Sequence, residues 1–256
     1  MRELAEVAPG VLVATAGLYT TTSTVIADGQ GGCLIVDPAV TVSELDELAT
    51  ALDARGLSPV AGWSTHPHWD HLLWSVRLGD VPRYGTVGAA AAVERGRAEL
   101  IGELIASAPG HDLELFGRLT ALDEEYVPWP GPPVRVLRHA AHATGHGALW
   151  LPEVGALLAG DMLSDVEIPL LDLDGPDPAG HYLAGLELLA GVQDVAVIVP
   201  GHGHIGDRAE YLRRVRADLY YVSALEHGDL AAGLDQRIGE SWQRAEHDRQ
   251  FAHLHA

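Results

Sequence analysis

Cysteine is almost absent from these 256 residues: Cys33 stands alone, which excludes an intrachain disulfide and a cysteine-rich structural zinc site. Any metal must therefore be held by histidine and carboxylate. Basic residues are scarce as well. Lys and Arg number 16 against 36 Asp and Glu, a formal charge of −20. A field of that sign repels polyanions, so no nucleic-acid partner is expected. No run approaches the ~20 apolar residues that span a bilayer, and Met1-Arg2-Glu3-Leu4-Ala5-Glu6 lacks the basic start and apolar stretch of an export signal. The expectation is a cytoplasmic protein with a small-molecule substrate and no membrane contact. What is present is a 47% hydrophobic chain, long enough to bury a core as one domain over residues 1–256. Its oligomeric state stays open.

Short β-branched runs at 11–14 and 24–27, then Cys33-Leu34-Ile35-Val36-Asp37 after a glycine-rich turn, read as consecutive strands. Ser43 with Asp46 resembles a capping box, and Leu45, Leu48 and Leu52 follow at helical spacing, which predicts a helix over 43–55. Residues 60–65 read as a buried strand and 87–105 as a longer helix. A Pro/Gly-punctuated stretch at 107–133 reads as an insertion. Strands are expected again at 134–137, 148–151, 156–158 and 195–199, with helices over 182–189 and along the face of Tyr211, Val215, Leu219 and Val222. Strands, helix and strand thus occur twice, in halves of about 1–133 and 134–256. The pattern predicts an α/β (α+β) fold with two sheets packed face to face and helices outside. The charged tail from Gln236 carries no assigned chemistry.

His66-Pro67-His68-Trp69-Asp70-His71 places three imidazoles and a carboxylate within six residues, directly after an apolar strand. Imidazole and carboxylate suit zinc, iron or manganese, and a loop at a strand end can turn several inward together. A catalytic metal takes about three protein ligands, so four residues here point to two metals with further ligands elsewhere. His146, Asp161 and His202 supply them: each follows a glycine at a strand edge, where the backbone can turn tightly toward a shared centre.

In order, HPHWDH, ATGHG, LLAGDM and VPGHG resemble the signature set of the metallo-β-lactamase superfamily. The resemblance implies a four-layer αβ/βα sandwich of two mixed sheets. It implies one metal on His66, His68 and His146, another on Asp70, His71 and His202, and Asp161 bridging the two. The cofactors implied are two divalent ions, zinc foremost, with iron or manganese as alternatives. Asp37 looks like the family's early aspartate, which supports the metal loop without ligating. His139, His142 and His204 flank motif positions and are read as supporting donors or solvated side chains. His204 is the rival to His202.

The implied activity is a hydrolase in which hydroxide shared by two metals attacks an ester, lactone or thioester, with Asp70 and Asp161 as the catalytic carboxylates, one or the other of which shuttles the proton. β-Lactamases of the superfamily generally lack an aspartate at the Asp161 position, which disfavours drug hydrolysis. Thioesterases acting on glutathione keep basic residues near the C-terminus, whereas Arg213, Arg214 and Arg216 read here as a solvated helix face. Two other classes stay in view: an iron persulfide dioxygenase with one metal, and an inactive metal-binding protein. Residues 107–133 and 164–178 are expected to wall the pocket.

Overall fold

The apolar runs at the start of the chain build a meander. β1 (Ala5–Ala8), β2 (Val11–Thr15), β3 (Thr22–Ala27) and β4 (Gly32–Val36) pair antiparallel in that order. α1 (Val42–Asp53) then carries the chain across to β5 (Ser58–Trp63), which lies parallel to β4. β6 (Arg83–Thr86) and β7 (Thr120–Leu122) extend the sheet in parallel on either side of α2 (Val87–Ser107). The second sheet has β8 (Arg135–His139), β9 (His146–Leu151), β10 (Ala156–Gly160), β11 (Val197–Pro200) and β12 (Gly206–Asp207). Within it β10 and β11 are parallel, joined through α3 (Pro178–Ala190), and the other pairs are antiparallel. α4 (Arg208–Glu226) and α5 (Ser241–Leu254) complete the chain. This computed structural model describes residues 3–256; Met1 and Arg2, which open the segment inspected for an export signal, lie outside the described residues.

Three apolar clusters fix the layers. Val11, Ile26, Leu34 and Trp63 of the first sheet pack against Val136, Leu149, Leu158 and Val199 of the second. Behind the first sheet, Val25, Cys33 and Ile35 meet Leu45, Leu48 and Leu52 of α1 and Val93 and Leu104 of α2. Behind the second, Ala148, Leu157 and Ile198 meet Tyr182, Leu186 and Leu189 of α3 and Tyr211, Val215 and Val222 of α4. The expected αβ/βα sandwich is therefore the observed one. No helix among the described residues is long and apolar enough to cross a membrane.

Three local expectations change. α1 is capped by Thr41 and Glu44 rather than Ser43 and Asp46: the Thr41 hydroxyl accepts from Glu44 N–H at 3.3 Å, and the Glu44 carboxylate takes Thr41 N–H at 3.1 Å. Glu44 also accepts Gly17 N–H at 2.6 Å, which ties the helix start to the meander. The tail is the helix α5, held by Gln250, whose side-chain oxygen accepts Leu171 N–H at 2.7 Å. Arg214, read as solvated, is buried and donates to the carbonyls of Leu163 and His204.

Asp218 of α4 and Arg237 form a buried ion pair that fastens the chain just beyond β10. Asp218 accepts Leu163 N–H at 3.2 Å and Arg237 donates to Ser164 O at 3.2 Å. Burial pushes the Asp218 carboxyl up to about 6 against the pull of Arg237. Arg237→Met leaves that carboxylate buried without its partner and is expected to cost about 3–5 kcal/mol. Urea unfolding measures it; a loss below about 1 kcal/mol would show the pair to be dispensable.

Candidate metal centre

The site forms where strand ends of both sheets meet. From β5 the chain runs through Thr65 and His66 into a 3₁₀ turn at Trp69–His71, so that His66, His68, Asp70 and His71 leave one sheet edge together. Asp161 follows β10 and His202 follows β11. The edges are cross-linked: Trp63 Nε1 donates to Gly147 O at 3.0 Å, and Thr22 N–H to Gly201 O at 2.7 Å. Gly201 has a specific reason to lack a side chain, because a Cβ there would fall 2.0 Å from Asp161 Oδ1.

Two groups of metal-ligand type result, His66, His68, His142 and Asp161 in one and Asp70, His71 and His202 in the other, with the offered atoms of each within 4.8 Å of one another. Asp161 lies between them. Its Oδ2 is 3.4 Å from His66 Nε2, 3.4 Å from His142 Nε2 and 3.2 Å from His202 Nε2, while Oδ1 is 3.2 Å from His71 Nε2.

Hydrogen bonds on the far side of each ring set where its lone pair points. Asp37 accepts Thr65 N–H at 2.9 Å, Thr65 O–H at 2.6 Å and His71 Nδ1–H at 2.9 Å. With its own proton given to Asp37, the Thr65 hydroxyl accepts His66 Nδ1–H at 3.0 Å. His142 Nδ1–H goes to Leu170 O and His202 Nδ1–H to Tyr19 O, both at 3.0 Å. With each Nδ1–H spent on an oxygen, four Nε2 atoms face inward, which is the way oxygen partners orient ligating imidazoles. His68 Nδ1 joins them, 3.1 Å from His66 Nε2 and 3.0 Å from His142 Nε2. Imidazole nitrogens converging on the Asp70 and Asp161 carboxylates are a donor set that fits cations.

Electrostatics agrees. Burial, with help from neighbouring imidazoles, lowers His66 well below the usual histidine range and brings His68 down to about 4, so both rings are neutral as ligation requires. Burial acts the same way on His71 and His202, but Asp161 and Asp70 outweigh it and raise both well above that range. The field that draws protons there is the field a divalent cation would meet.

His146, expected beside His66 and His68, is not in the group. It is the first residue of β9, paired in register with His139 of β8, and this fixes its ring behind the site. There it stacks on His66 (5.1 Å, 11°) and on His139 (4.4 Å, 20°), with neither nitrogen hydrogen-bonded. His142, set aside in the sequence, is on the loop before that strand at φ +63° and reaches the centre instead. The rule that ligands sit on loops at strand ends, used for His66 to His71, would have preferred it. His204 also stays outside: it is half-exposed and bonds Asp165 at 2.9 Å.

A cleft of about 680 Å³ opens above these atoms. Of the segment 164–178 expected to wall the pocket, Glu167 and Leu170 to Asp174 line it, but nothing from 107–133 does; Glu103 of α2 and Trp242, Glu246 and Arg249 of α5 stand there. Burial raises Glu167 and Glu103 above the usual carboxyl range, and nearby carboxylates add to it.

Chelation is expected to lower the melting temperature. A metal present at 1,000 times its Kd adds ~4 kcal/mol, and each kcal/mol moves the midpoint of a chain this size by about 2–4 °C. A shift of roughly 10 °C in calorimetry fits these ligands; an unchanged curve after verified metal removal contradicts them.

Comparison with known proteins agrees with this geometry. The profile of the metallo-beta-lactamase superfamily matches residues 16–202. A hydroxyacylglutathione hydrolase of Ruegeria pomeroyi is 29% identical over 179 residues, which are 70% of this chain and 62% of that protein, so the chain spans less than two thirds of its relative. A beta-lactamase domain protein from Burkholderia ambifaria shares the fold with a TM-score of 0.69 at 21% identity, over 98% of this chain and 86% of that one. The di-iron-bound form of TTHA1623 superposes with a TM-score of 0.61 at 26% identity, over 79% of this chain and 97% of that one.

Proposed function

Since the chain belongs to the metallo-β-lactamase superfamily, we propose that it is a metal-dependent hydrolase of an ester, lactone or thioester, working through two divalent cations in one cleft. The observation that carries this reading is the position of Asp161, whose two oxygens touch the histidines of both ligand groups. His66, His68 and His142 would hold one cation and Asp70, His71 and His202 the other, with Asp161 shared. The di-iron form of TTHA1623 supports two sites, and the hydroxyacylglutathione hydrolase supports a thioester.

The chemistry divalent cations would supply, held by these residues, is a water whose pKa falls from 15.7 to ~7 and a polarised carbonyl. The remaining work belongs to the chain. Asp37 and Thr65 hold His66 and His71 in one tautomer, and the Leu170 and Tyr19 carbonyls do so for His142 and His202. Asp70, which lines the cleft with Oδ2 3.2 Å from His202 Nε2, is placed to pass a proton to the leaving atom. No serine or cysteine nucleophile is needed; Cys33 is buried, and burial lifts its thiol pKa to about 12.

A panel of lactones, aryl esters and thioesters tests the reading. Turnover abolished by chelation and restored by zinc, iron or manganese is the expected result. Oxygen uptake on a persulfide substrate, with one iron bound, would point to the dioxygenase class instead.

A further inference from the structure

His142 stands at the cleft in a conformation that its own segment does not favour. It has φ +63°, and the chain turns there so tightly that Ala143 N–H reaches Ala141 O at 2.7 Å. In a residue with a Cβ, a left-handed backbone of this kind is kept only where surrounding groups hold it. For the His142 ring that group is the carbonyl of Leu170, which accepts Nδ1–H at 3.0 Å. Leu170 lies in the irregular stretch 161–177 between β10 and α3, so no strand or helix fixes the carbonyl in turn.

What fixes it comes from α5. Leu170 C=O and Leu171 N–H belong to one planar peptide unit, and Leu171 N–H donates to Gln250 Oε1 at 2.7 Å. A backbone N–H can only donate, so this bond decides which way the Gln250 amide faces, and Nε2 is left to donate to Tyr221 Oη of α4 at 3.4 Å. Gln250 and Tyr221 are fully buried, so water does not compete for these bonds. From His142 the donors run in one direction: ring to carbonyl, peptide N–H to amide oxygen, amide N–H to hydroxyl. Bonds aligned in this way polarise one another. The pull of Gln250 on Leu171 N–H makes Leu170 O a stronger acceptor, and a stronger acceptor at Nδ1–H makes Nε2 a better ligand. That Nε2 is the atom 3.4 Å from Asp161 Oδ2.

We propose that Gln250 is a positioning residue of the metal centre: across the Leu170–Leu171 peptide it sets the orientation and basicity of His142, so that α5 governs one of the two cations. This rests on the two-cation reading above. The competing role for Gln250 is plain attachment of α5 to the domain. A second clasp on the same helix separates the two roles, because Gln243 Nε2 donates to Val166 O at 2.7 Å and so ties α5 to the same stretch away from the 170–171 peptide.

The test compares four variants of the full chain. Gln250→Met and Gln250→Asn withdraw the acceptor, one by chemistry and one by reach; Gln250→Glu returns an oxygen, and Gln243→Met loosens α5 alone. Competition of zinc against a chromophoric chelator reads the two stepwise affinities, and a melting curve shows that each variant is folded. Gln250→Met and Gln250→Asn are expected to weaken by ~10-fold or more the ion that His142→Ala loses, and to leave the other unchanged. Gln250→Glu should regain most of that affinity, and Gln243→Met should change neither ion. Added to His142→Ala, Gln250→Met should have no further effect. In metal-free protein, ring nitrogen NMR should find His142 protonated at Nδ1 in the wild type and in Gln250→Glu, and in mixed tautomers in Gln250→Met. Unchanged affinities in Gln250→Met and Gln250→Asn, with two ions bound by the wild type, overturn the proposal and leave the metal centre standing. Equal weakening of both ions, or an equal effect from Gln243→Met, also overturns it, since α5 is then only a scaffold. A wild type that binds no second ion, or a His142→Ala variant that keeps both, overturns the two-cation assignment and the proposal with it.

Discussion

His142→Ala is expected to lose one metal equivalent and ~10³-fold or more in kcat, whereas His146→Phe keeps both metals and most of its rate. The two histidines are four residues apart in one loop-and-strand segment, yet their environments differ in kind. His142 directs Nε2 at His68 Nδ1 and Asp161 Oδ2 and gives its other nitrogen to Leu170 O. His146 uses its ring and neither nitrogen, packed between His66 and His139. Phenylalanine preserves that ring and discards only nitrogens that bond nothing. His146→Ala would open a cavity costing about 3–5 kcal/mol, so a fall in its activity could reflect instability alone. Metal content by elemental analysis, read beside a melting curve, separates the cases. Metal loss in His146→Phe with retention in His142→Ala would return the ligand to the position expected from the sequence.

Asp161→Asn is expected to release or displace at least one cation and to depress turnover by ~10³-fold or more, with the fold intact. Its carboxylate touches His66, His71, His142 and His202, and its charge would offset the repulsion between the two proposed cations. The amide keeps the shape and loses the charge. Metal-free protein offers a second readout: Asp161 is the largest influence lifting His71 and His202 above the usual histidine range against burial. Both should therefore titrate lower in Asp161→Asn, as ring proton NMR can follow. Two retained metals with full rate would remove the shared-ligand role. His204→Ala serves as the contrast, since that ring bonds Asp165 at the surface and its loss should leave both metals bound.

The parts legible in the sequence share one property: they repeat a pattern. Short apolar and β-branched runs announced β2 to β5 and β8 to β11, but not the short β1, β6, β7 and β12, and helical spacing of Leu45, Leu48 and Leu52 announced α1. His66, His68, Asp70 and His71 were legible because four ligand-type side chains follow one buried strand, and Asp161 and His202 because glycine precedes each at a strand end. His142 was missed because HATGH offers two histidines and only β8–β9 pairing decides which one leaves the sheet. Trp242, Glu246 and Arg249 were missed for another reason. α5 is polar nearly all round and is held by side-chain bonds such as Gln250 to Leu171 and Gln243 to Val166 rather than by an apolar stripe. Such a helix carries no periodic signal, yet it forms part of the cleft wall. The segment 107–133 shows the converse, since irregular composition suggested a pocket wall and its Phe116 is instead a core residue beneath α2.

The central claim, two cations shared through Asp161 in one cleft, is tested most directly by native mass spectrometry of the metal-replete protein. The predicted mass corresponds to about two bound divalent ions per chain, since the side chains brought together exceed what one ion uses. His142→Ala and Asp161→Asn should each bind fewer. Saturation at a single ion, unchanged in both variants, would contradict the account.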